Sequence, residues 1–551
     1  MRFRIRYGNL RLSINNEFEG GHRRRLHLLT SVKPTVFVRE ATGLVREVGA
    51  WSSFMAVFFL VTGGVVVLML GTMYTAPGAN WPLALFVAFL PSLLAGGMFT
   101  IIGSSLPRAG ADYVFTTRAT RSIIGFVNYW GLNIAFILNI GIFAYYGSSY
   151  LGYFLSGLGA FYNDTNLANQ GASLVGPIPT FVIAVLIILV FGAMSVMRPK
   201  NVWRIIFWVG VLAMVTTLIM FVAMAGVTSD SFQTAYNSFM ANSTAYTSVI
   251  TQGGIAIPAA SLGATAAALP FAWFAYTWYN LSLGWTGELK NVKRSLPITI
   301  IVALIAIAAY YILFSFLMVR AFGQPFLNNW SSLAAGGTPP IAGVGNFIPF
   351  FILVAYKAPW LYVAAFLALW IPTVFEFPAV IISQTRYLFA WAFDRILPDR
   401  FASVSDRYHT PIFATVLVLI GGIIGSALMA TLSNATEFAT LTFAIFSFGF
   451  IIPAIAAIVF PYVRRDMFEA NFSTKKFGLP LLSWLGLGTA AYLIYSTYLA
   501  HTSGSLPLDN YAVWIFGTIY TLGIVVYVVS YFWNKRRGLP LSLVFKEIPP
   551  E

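Results

Sequence analysis

A single acidic side chain lies well inside a long apolar stretch of this 551-residue sequence. It is Glu376, in the stretch 359–393. An ionised side chain at the centre of a membrane helix costs about 2.5 to 3.5 kcal/mol, and intramembrane acids are functional candidates by default. Glu376 could carry a proton, balance the charge of a cationic substrate, or stay protonated and hydrogen-bonded to neighbouring backbone.

Two adjacent glycines, Gly63 and Gly64, interrupt another apolar stretch, 51–75. Adjacent glycines favour unwinding of a helix and allow a ligand to approach the main chain closely. Non-helical backbone is tolerated at membrane depth only where it is buried in protein or lines a cavity. The pair therefore predicts a break in the helix, although glycines also let membrane helices pack closely.

The elements that must position these residues are membrane-spanning helices. Hydrophobic residues make up 58% of the chain, charged residues make up 9%, and the mean hydropathy is +0.78. Because a spanning helix needs about 20 mostly apolar residues, we predict twelve spans. They are 51–75, 82–106, 122–151, 177–196, 202–226, 265–287, 298–320, 359–393, 412–432, 436–462, 481–502 and 511–534.

The charged residues orient these spans. Only Arg320 and Lys357 of the 33 basic residues fall on the side of the membrane opposite the two termini. Loops rich in Lys and Arg stay in the cytoplasm, so we expect a multi-pass protein of the cell membrane with cytoplasmic N- and C-termini. The net charge of +15 then reflects topology. The expected partner is the lipid bilayer, not a nucleic acid.

Missing residue types exclude several kinds of site. The chain has no cysteine, which excludes disulfides, thiolate metal sites and iron–sulfur clusters. None of its four histidines lies at mid-membrane in the predicted spans, so no imidazole pair is available there to bind haem. They are His22, His27, His409 and His501. We therefore expect no metal site and no cofactor.

Spans one to five and six to ten form two comparable blocks. Because five is odd, the second block must enter the membrane inverted, as in many secondary transporters. The connecting segments 152–176, 227–264 and 321–358 are rich in Asn, Ser, Thr and Gly, so we expect solvated loops there. The predicted organisation is a basic cytoplasmic tail (1–50), a first five-helix repeat (51–226), an extracellular loop (227–264), a second, inverted five-helix repeat (265–464), two additional helices (465–534) and a cytoplasmic tail (535–551).

Three segments on the predicted cytoplasmic side carry more information than the spans. They read LPRAGADYVF at 106–115, ELKNVKRSLP at 288–297, and SQTRYLFA at 383–390 followed by DRILP at 394–398. At these residues the chain resembles the prokaryotic amino-acid permeases of the amino acid–polyamine–organocation (APC) superfamily, with the same order and spacing. Ala111 and Asp112 stand where that family prefers Gly and Glu, and Val292 replaces its usual proline.

The resemblance implies an all-α membrane fold of twelve transmembrane helices, with a LeuT-like 5+5 inverted repeat plus two C-terminal helices. It also implies a substrate site between the interrupted spans one and six, where unwound backbone binds the carboxylate and ammonium groups of an amino acid. The residues at matching positions are Thr62, Gly63, Gly64, Val65, Phe274, Ala275, Tyr276, Thr277 and Trp278.

Trp278 departs most from the pattern of the related permeases, which usually have glycine ten residues before the position of Glu288. The indole could shrink the side-chain pocket, act as an aromatic gate, or stack on a cationic substrate at up to about 2 kcal/mol when desolvated. A ring that faces lipid is the alternative without a function.

Arg108, Glu288 and Arg386 are candidates for a cytoplasmic gate. In this interpretation, ion pairs hold one state of the transporter closed and break when it opens inward. The plain alternative is topology and helix capping, with Glu288 paired to Lys290 or Arg294.

The resemblance implies a permease that moves amino acids by alternating access, and no enzymatic activity. Proton-coupled relatives often have a lysine in span five, but 202–226 contains none. Three modes stay open: coupling by H⁺ through Glu376, coupling by Na⁺ held by oxygens of spans one and eight, and exchange without an ion.

The alternative to an amino-acid permease is a transporter or exchanger of polyamines or other organic cations on the same fold, favoured by Glu376 with Trp278. A membrane-embedded enzyme would need several His, Asp or Glu at one depth, and the sequence supplies one Glu.

Overall fold

The computed structural model describes residues 44–63, 65–405, 407–431, 435–465, 475–502 and 510–548. Within these ranges the chain is almost entirely helical. The described strands, β1 (Lys475–Lys476) and β2 (Leu479–Pro480), form one short antiparallel pair.

The described part of the first half of the chain contains ten helices of very different lengths. They are α1 (Ala50–Thr62), α2 (Val65–Thr72), α3 (Trp81–Ser105), α4 (Ala111–Ala119), α5 (Ser122–Tyr162), α6 (Thr165–Leu174), α7 (Pro177–Ser195), α8 (Pro199–Ala225), α9 (Ser229–Phe239) and α10 (Ala245–Gly253).

The second half contributes the remaining described helices. They are α11 (Leu262–Ala267), α12 (Leu269–Ala275), α13 (Val292–Pro297), α14 (Ala303–Phe322), α15 (Gln324–Ala335), α16 (Ile348–Tyr356), α17 (Pro359–Phe375), α18 (Phe377–Phe393), α19 (Ile412–Thr431), α20 (Ala435–Val463), α21 (Leu481–Thr502), α22 (Asn510–Arg536) and α23 (Leu541–Val544). Short 3₁₀ segments occupy Met73–Thr75, Tyr279–Glu288 and Asp399–Ala402, and a π-helical turn at Ile298–Val302 joins α13 to α14.

Nine helical segments in the described part of the chain are long and apolar enough to cross a membrane. They are Trp81–Ser105, Ser122–Tyr162, Pro177–Ser195, Pro199–Ala225, Val292–Phe322, Pro359–Phe393, Ile412–Thr431, Ile445–Val463 and Trp514–Arg536. Three of the twelve predicted spans have no counterpart among them. Helix α21 covers 481–502 without interruption but carries five Ser or Thr and one His, which lowers its hydropathy. The other two, 51–75 and 265–287, are broken.

The two broken segments are interrupted at different kinds of sequence. Helix α1 ends at Thr62, where the Gly63 N–H donates to the carbonyl of Phe59, and α2 begins at Val65. The sequence predicts this break from its paired glycines. In the second segment, α12 ends at Ala275 and the chain passes through a turn at 276–278 into a 3₁₀ helix. Both segments thus expose main-chain groups that an unbroken α-helix would pair internally.

Helices α17 and α18 form one nearly continuous rod through the core, joined at Glu376. Glu376 itself has helical dihedral angles (φ −69°, ψ −29°). Pro372 lies within α17 and Pro378 within the first turn of α18. Because proline lacks an N–H, Pro372 removes one hydrogen bond inside α17, whereas Pro378 stands in a first turn, where an N–H has no intrahelical partner anyway. The rod therefore carries its acidic residue at a point where its own hydrogen bonding is weakened.

The prediction that the connecting segments are simple solvated loops is wrong. Segment 227–264 contains α9 and α10, and segment 321–358 contains α15 and α16. A capping box between Thr228 and Ser231 starts α9. Its buried Phe232 then packs edge-on against Phe326 and Phe351. Aromatic residues spaced among the polar ones give these helices a buried face, which a count of Asn, Ser, Thr and Gly does not detect.

The predicted end of span three, at residue 151, is also wrong. Helix α5 continues to Tyr162 and is ended by Asn163, which adopts a left-handed conformation (φ 54°). The side chain of Asp164 then accepts hydrogen bonds from the N–H groups of Asn166 and Leu167 and so starts α6. Asn at a helix C-terminus and Asp at the next N-cap explain why the boundary lies here.

Candidate functional site

The two helix breaks lie side by side, and a tyrosine of α14 joins them. The hydroxyl of Tyr311 is within hydrogen-bonding distance of the Val61 carbonyl, beside the first break, and 3.1 Å from the Ala275 carbonyl, at the second. Because a hydroxyl carries one proton, Tyr311 satisfies one carbonyl at a time. The other stays available to accept a hydrogen bond from a ligand.

Glu376 approaches the first break directly. A methyl group built on Gly63 would lie 2.5 Å from Glu376 Oε2, 2.7 Å from the Pro372 carbonyl oxygen and 2.9 Å from the Phe59 carbonyl oxygen. Gly63 has an ordinary φ of −62°. It is therefore the missing side chain at Gly63, and not an unusual backbone conformation, that lets the rod α17–α18 come so close.

The carboxyl of Glu376 is fully buried, and neither of its oxygens has a hydrogen-bond partner among the described residues. The sequence leaves open that a protonated Glu376 is hydrogen-bonded to neighbouring backbone. No such hydrogen bond is present within the described ranges. A buried carboxyl without a partner is costly to maintain. We call residues 61–63, 275–278, Tyr311 and Glu376 the break region.

The other predicted site residues occupy the break region in different ways. The hydroxyls of Thr62 and Thr277 donate to the carbonyls of Phe58 (2.6 Å) and Phe274 (2.7 Å), so each serves its own segment. Tyr276 packs edge-on against Tyr311, and its buried hydroxyl has no partner in the described chain. Val65 begins α2. Gly64 lies outside the described residues.

Trp278 is buried, so the alternative in which its ring faces lipid is wrong. Its indole is surrounded by Phe136 and Phe143 of α5 and Phe446 of α20, at ring-centroid distances of 5.0, 5.3 and 5.1 Å. Its backbone adopts φ 83°, the left-handed region that favours glycine. Such a conformation costs a bulky residue on the order of 1–3 kcal/mol. This explains why glycine suits the position in the related permeases.

A second buried polar site is the ion pair of Glu288 with Arg386. Arg386 Nε is 2.7 Å from Glu288 Oε1, and both side chains are buried. The alternative pairing of Glu288 with Lys290 or Arg294 is therefore not the one observed. Arg108 does not join this ion pair. Its guanidinium donates to the Pro107 carbonyl at 3.2 Å, while its backbone passes beside Gly287.

A further buried ion pair was missed by sequence reasoning. The Arg118 guanidinium donates to both carboxylate oxygens of Asp394 at 2.7 Å, and the Tyr113 hydroxyl also donates to Asp394. The carbonyl of Glu547 accepts from Arg118, which places the C-terminal segment against this pair. Arg118 lies three residues after the motif 106–115, and Asp394 is the first residue of the motif 394–398. Neither motif indicates that these two residues form an ion pair.

Asp112 links the two ion pairs. Its carboxylate accepts a 2.7 Å hydrogen bond from the hydroxyl of Tyr387, the neighbour of Arg386, and Asp112 itself precedes Tyr113. Burial raises the pKa of Asp112 to about 7, and the hydrogen bond from Tyr387 opposes this only partly. We call the linked residues the ion-pair cluster. They are Asp112, Tyr113, Arg118, Glu288, Arg386, Tyr387 and Asp394.

In the described part of the chain, no three His, Cys, Asp or Glu side chains come together to hold a metal ion. The break region offers main-chain carbonyls, a buried carboxyl and two donors without a partner among the described residues, the hydroxyl of Tyr276 and the indole N–H of Trp278. This set suits a small polar molecule or a proton, and it contains no nucleophile poised next to a base.

Comparison with known proteins gives independent evidence about the family of this chain. A family model described as amino acid permease matches residues 48–532. The branched-chain amino acid permease BcaP of Bacillus subtilis (strain 168) is 24% identical over 499 residues, covering 88% of this chain and 92% of that protein. The methylthioribose transporter of the same organism is 24% identical over 508 residues, covering 91% of this chain and 96% of that protein. Both relatives are named as transporters, but of different molecules.

Proposed function

The chain belongs to the amino acid permease family, and from this premise we propose that it moves amino acids across the cell membrane by alternating access. The family and both relatives are transporters, not enzymes, and the nine long apolar helices fit a multi-pass membrane protein. Amino acids are the proposed substrate class, as the family model and one of the two relatives are named for amino acids.

One observation carries the proposal. Two helices are broken side by side with the Tyr311 hydroxyl between them, and the buried Glu376, which has no partner among the described residues, lies against the first break. Main-chain N–H groups released at a break attract a carboxylate, and released carbonyls attract an ammonium group. An amino acid carries both groups on one carbon, so paired breaks match its shape.

We further propose the arrangement expected from the sequence. It has twelve transmembrane helices, with a LeuT-like 5+5 inverted repeat, two additional C-terminal helices and both termini in the cytoplasm. The two broken segments are the first helix of each repeat in this scheme, which is where transporters of this architecture bind substrate. The separation of basic residues supports the orientation.

Glu376 is the proposed coupling group. It sits against Gly63 at the first break, so a change in its protonation would alter contacts at the substrate site itself. Helix α8 carries its only lysine, Lys200, at its first turn, far from this depth. Coupling by a proton on Glu376 is therefore favoured over coupling by a lysine of this helix.

The ion pair of Glu288 with Arg386 is the proposed cytoplasmic gate, with the Arg108 backbone beside it. Arg386 lies on the same rod as Glu376, ten residues further on. A movement of α17–α18 would thus affect the break region and the gate together, as alternating access requires.

The decisive experiment is uptake by purified protein in liposomes. Each of the twenty amino acids is offered as a labelled substrate, with and without a proton or a sodium gradient, beside putrescine, spermidine and methylthioribose. We expect uptake of at least one amino acid, driven by the proton gradient. Uptake of none, together with no exchange and no substrate-dependent rise in melting temperature, would overturn the proposal.

A second candidate function is transport of polyamines or other organic cations. The unpartnered carboxyl of Glu376 favours it, because no Lys or Arg side chain forms an ion pair with that carboxyl within the described residues. Uptake of an amine that lacks a carboxylate, at a rate at least equal to that of any amino acid, would support this reading.

A further inference from the structure

We propose that Trp278 restricts the substrate to small side chains by occupying the space beside the two helix breaks. This inference rests on the proposed function and adds to it the size of the substrate. Its basis is the position of one indole and the three rings that enclose it.

The backbone fixes the indole in place. The N–H of Thr277 donates to the Phe274 carbonyl at 3.1 Å, and the Trp278 carbonyl accepts from the N–H of Leu281 at 3.0 Å. Trp278 is thus held on both sides, in a conformation that L side chains rarely adopt (φ 83°). With the backbone held, the indole can swing away only by displacing one of the three phenyl rings packed around it.

The indole lies close to the other residues of the break region and not in a remote part of the core. It follows the second break by three residues, and Phe446 contacts both its ring and that of Phe274. On α5, Phe143 touches the indole, while Gly147, one turn later on the same face, approaches Val374, two residues before Glu376. One face of α5 therefore borders both the indole and the rod that carries Glu376.

The surrounding rings separate the three roles that the sequence leaves open for Trp278. Phe136, Phe143 and Phe446 meet the indole at interplanar angles of 66°, 69° and 52°. A cation stacked on this indole would have to displace one of these rings, and a gate would need an indole that is free to move. Filling of the side-chain pocket is the role that agrees with an enclosed and fixed ring.

The expected discrimination follows from the cost of fitting extra atoms into a filled space. One methylene in an apolar pocket changes specificity by roughly 10- to 200-fold, so wild-type protein should prefer alanine over leucine by at least about 100-fold in kcat/KM. In Trp278→Gly the backbone strain disappears and the space opens. We expect the preference of this variant to fall below about tenfold.

The experiment measures competitive uptake of labelled alanine and leucine, and separately uptake of lysine and putrescine, by wild type, Trp278→Gly and Trp278→Phe in liposomes. Trp278→Phe should give an intermediate ratio, and it keeps the test valid if the glycine variant does not fold. The control is Trp285→Ala. Trp285 is a buried tryptophan of the 3₁₀ segment that follows Trp278, and its indole donates to the Ser53 hydroxyl at 2.9 Å. Its loss should lower the melting temperature without changing the alanine-to-leucine ratio.

Three results would overturn the inference and leave the proposed function intact. They are wild-type uptake of leucine within about tenfold of alanine, an unchanged ratio in both folded Trp278 variants, and a selective loss of lysine or amine uptake in Trp278→Phe, which would indicate stacking. Failure of every protein to bind or carry any amino acid is a different result, because it rejects the proposed function itself.

Discussion

The ion-pair cluster and the break region, two buried polar regions of this molecule, surround their carboxyl groups differently. In the ion-pair cluster, the carboxylates of Glu288 and Asp394 are each met by a guanidinium at 2.7 Å. In the break region, Glu376 is equally buried but has no partner in the described chain. A buried charge is tolerated when it is paired and hydrogen-bonded, and an unpaired carboxyl must take up a proton or a ligand.

From this difference we expect the two regions to have different roles. In the ion-pair cluster, the pairs Glu288–Arg386 and Asp394–Arg118 join α4, α18 and the 3₁₀ segment, so their main effect should be on stability and on which state is closed. The break region is incomplete within the protein, so its main effect should be on binding and coupling. Four predictions test this contrast, from the largest expected effect to the smallest.

Asp394→Ala should destabilise the protein most. It leaves the buried guanidinium of Arg118 without its carboxylate, and breaking a buried pair from one side costs about 3–5 kcal/mol. The matched control is Asp399→Ala, five residues away. Asp399 is 64% exposed and pairs with Arg395 at 3.3 Å, a type of pair worth about 1 kcal/mol or less. Thermal unfolding in detergent measures both; equal costs would contradict a desolvated cluster.

Gly63→Ala should abolish transport while the protein still folds. The added methyl would overlap Glu376 Oε2 and two carbonyl oxygens, and a displacement of about 1 Å at a reacting site can cost about 100-fold. The control is Gly517→Ala on α22, where an added methyl meets nothing within 4 Å. Uptake in liposomes and the melting temperature are measured together. Uptake by Gly63→Ala at the wild-type rate would show that the substrate site does not lie at Gly63.

Glu376→Gln should uncouple transport from the proton gradient. The amide cannot release or take up the coupled proton, so accumulation of substrate should stop while exchange of internal for external substrate continues. About a tenfold loss of gradient-driven uptake would already be decisive, since general-base groups contribute at least that much. Asp230→Asn, on the surface helix α9, is the control. Unchanged accumulation in the Gln variant would return Glu376 to a structural role.

Asp112 should give the smallest effect, a pH dependence of stability. Its pKa is raised from 3.8 to about 7 by burial, so between these values the folded protein binds more protons than the unfolded chain. The free energy of unfolding should therefore fall as pH rises through this window and level off above about pH 7, by about 1 kcal/mol between about pH 6 and pH 8.

Asp112→Asn tests that dependence, because the amide carries no titratable proton. The difference in melting temperature between wild type and variant should change across this pH range and stay constant at higher pH. A constant difference throughout would show that Asp112 is charged in the folded protein at all these values.

Part of the break region could be predicted from local sequence. Gly63 and Gly64 indicate a break, and α1 ends at Thr62. Trp278 draws attention because the related permeases usually have glycine there, and the structure gives it a left-handed backbone. Tyr311 was missed. It is one of many tyrosines in the chain, and only its position between two breaks, 250 and 36 residues away, gives it a role.

The sequence by itself determined the membrane character, most of the long helices, the helix break at paired glycines and the membership of the permease family. These depend on composition and on neighbours along the chain, because apolar length and backbone freedom are local properties. The tertiary structure decided which charges pair. Arg386 takes Glu288 across 98 residues, and Arg118 takes Asp394 across 276. It also placed Glu376 against Gly63 and enclosed Trp278 among three phenyl rings. Such contacts are set by how helices pack, which no local pattern specifies.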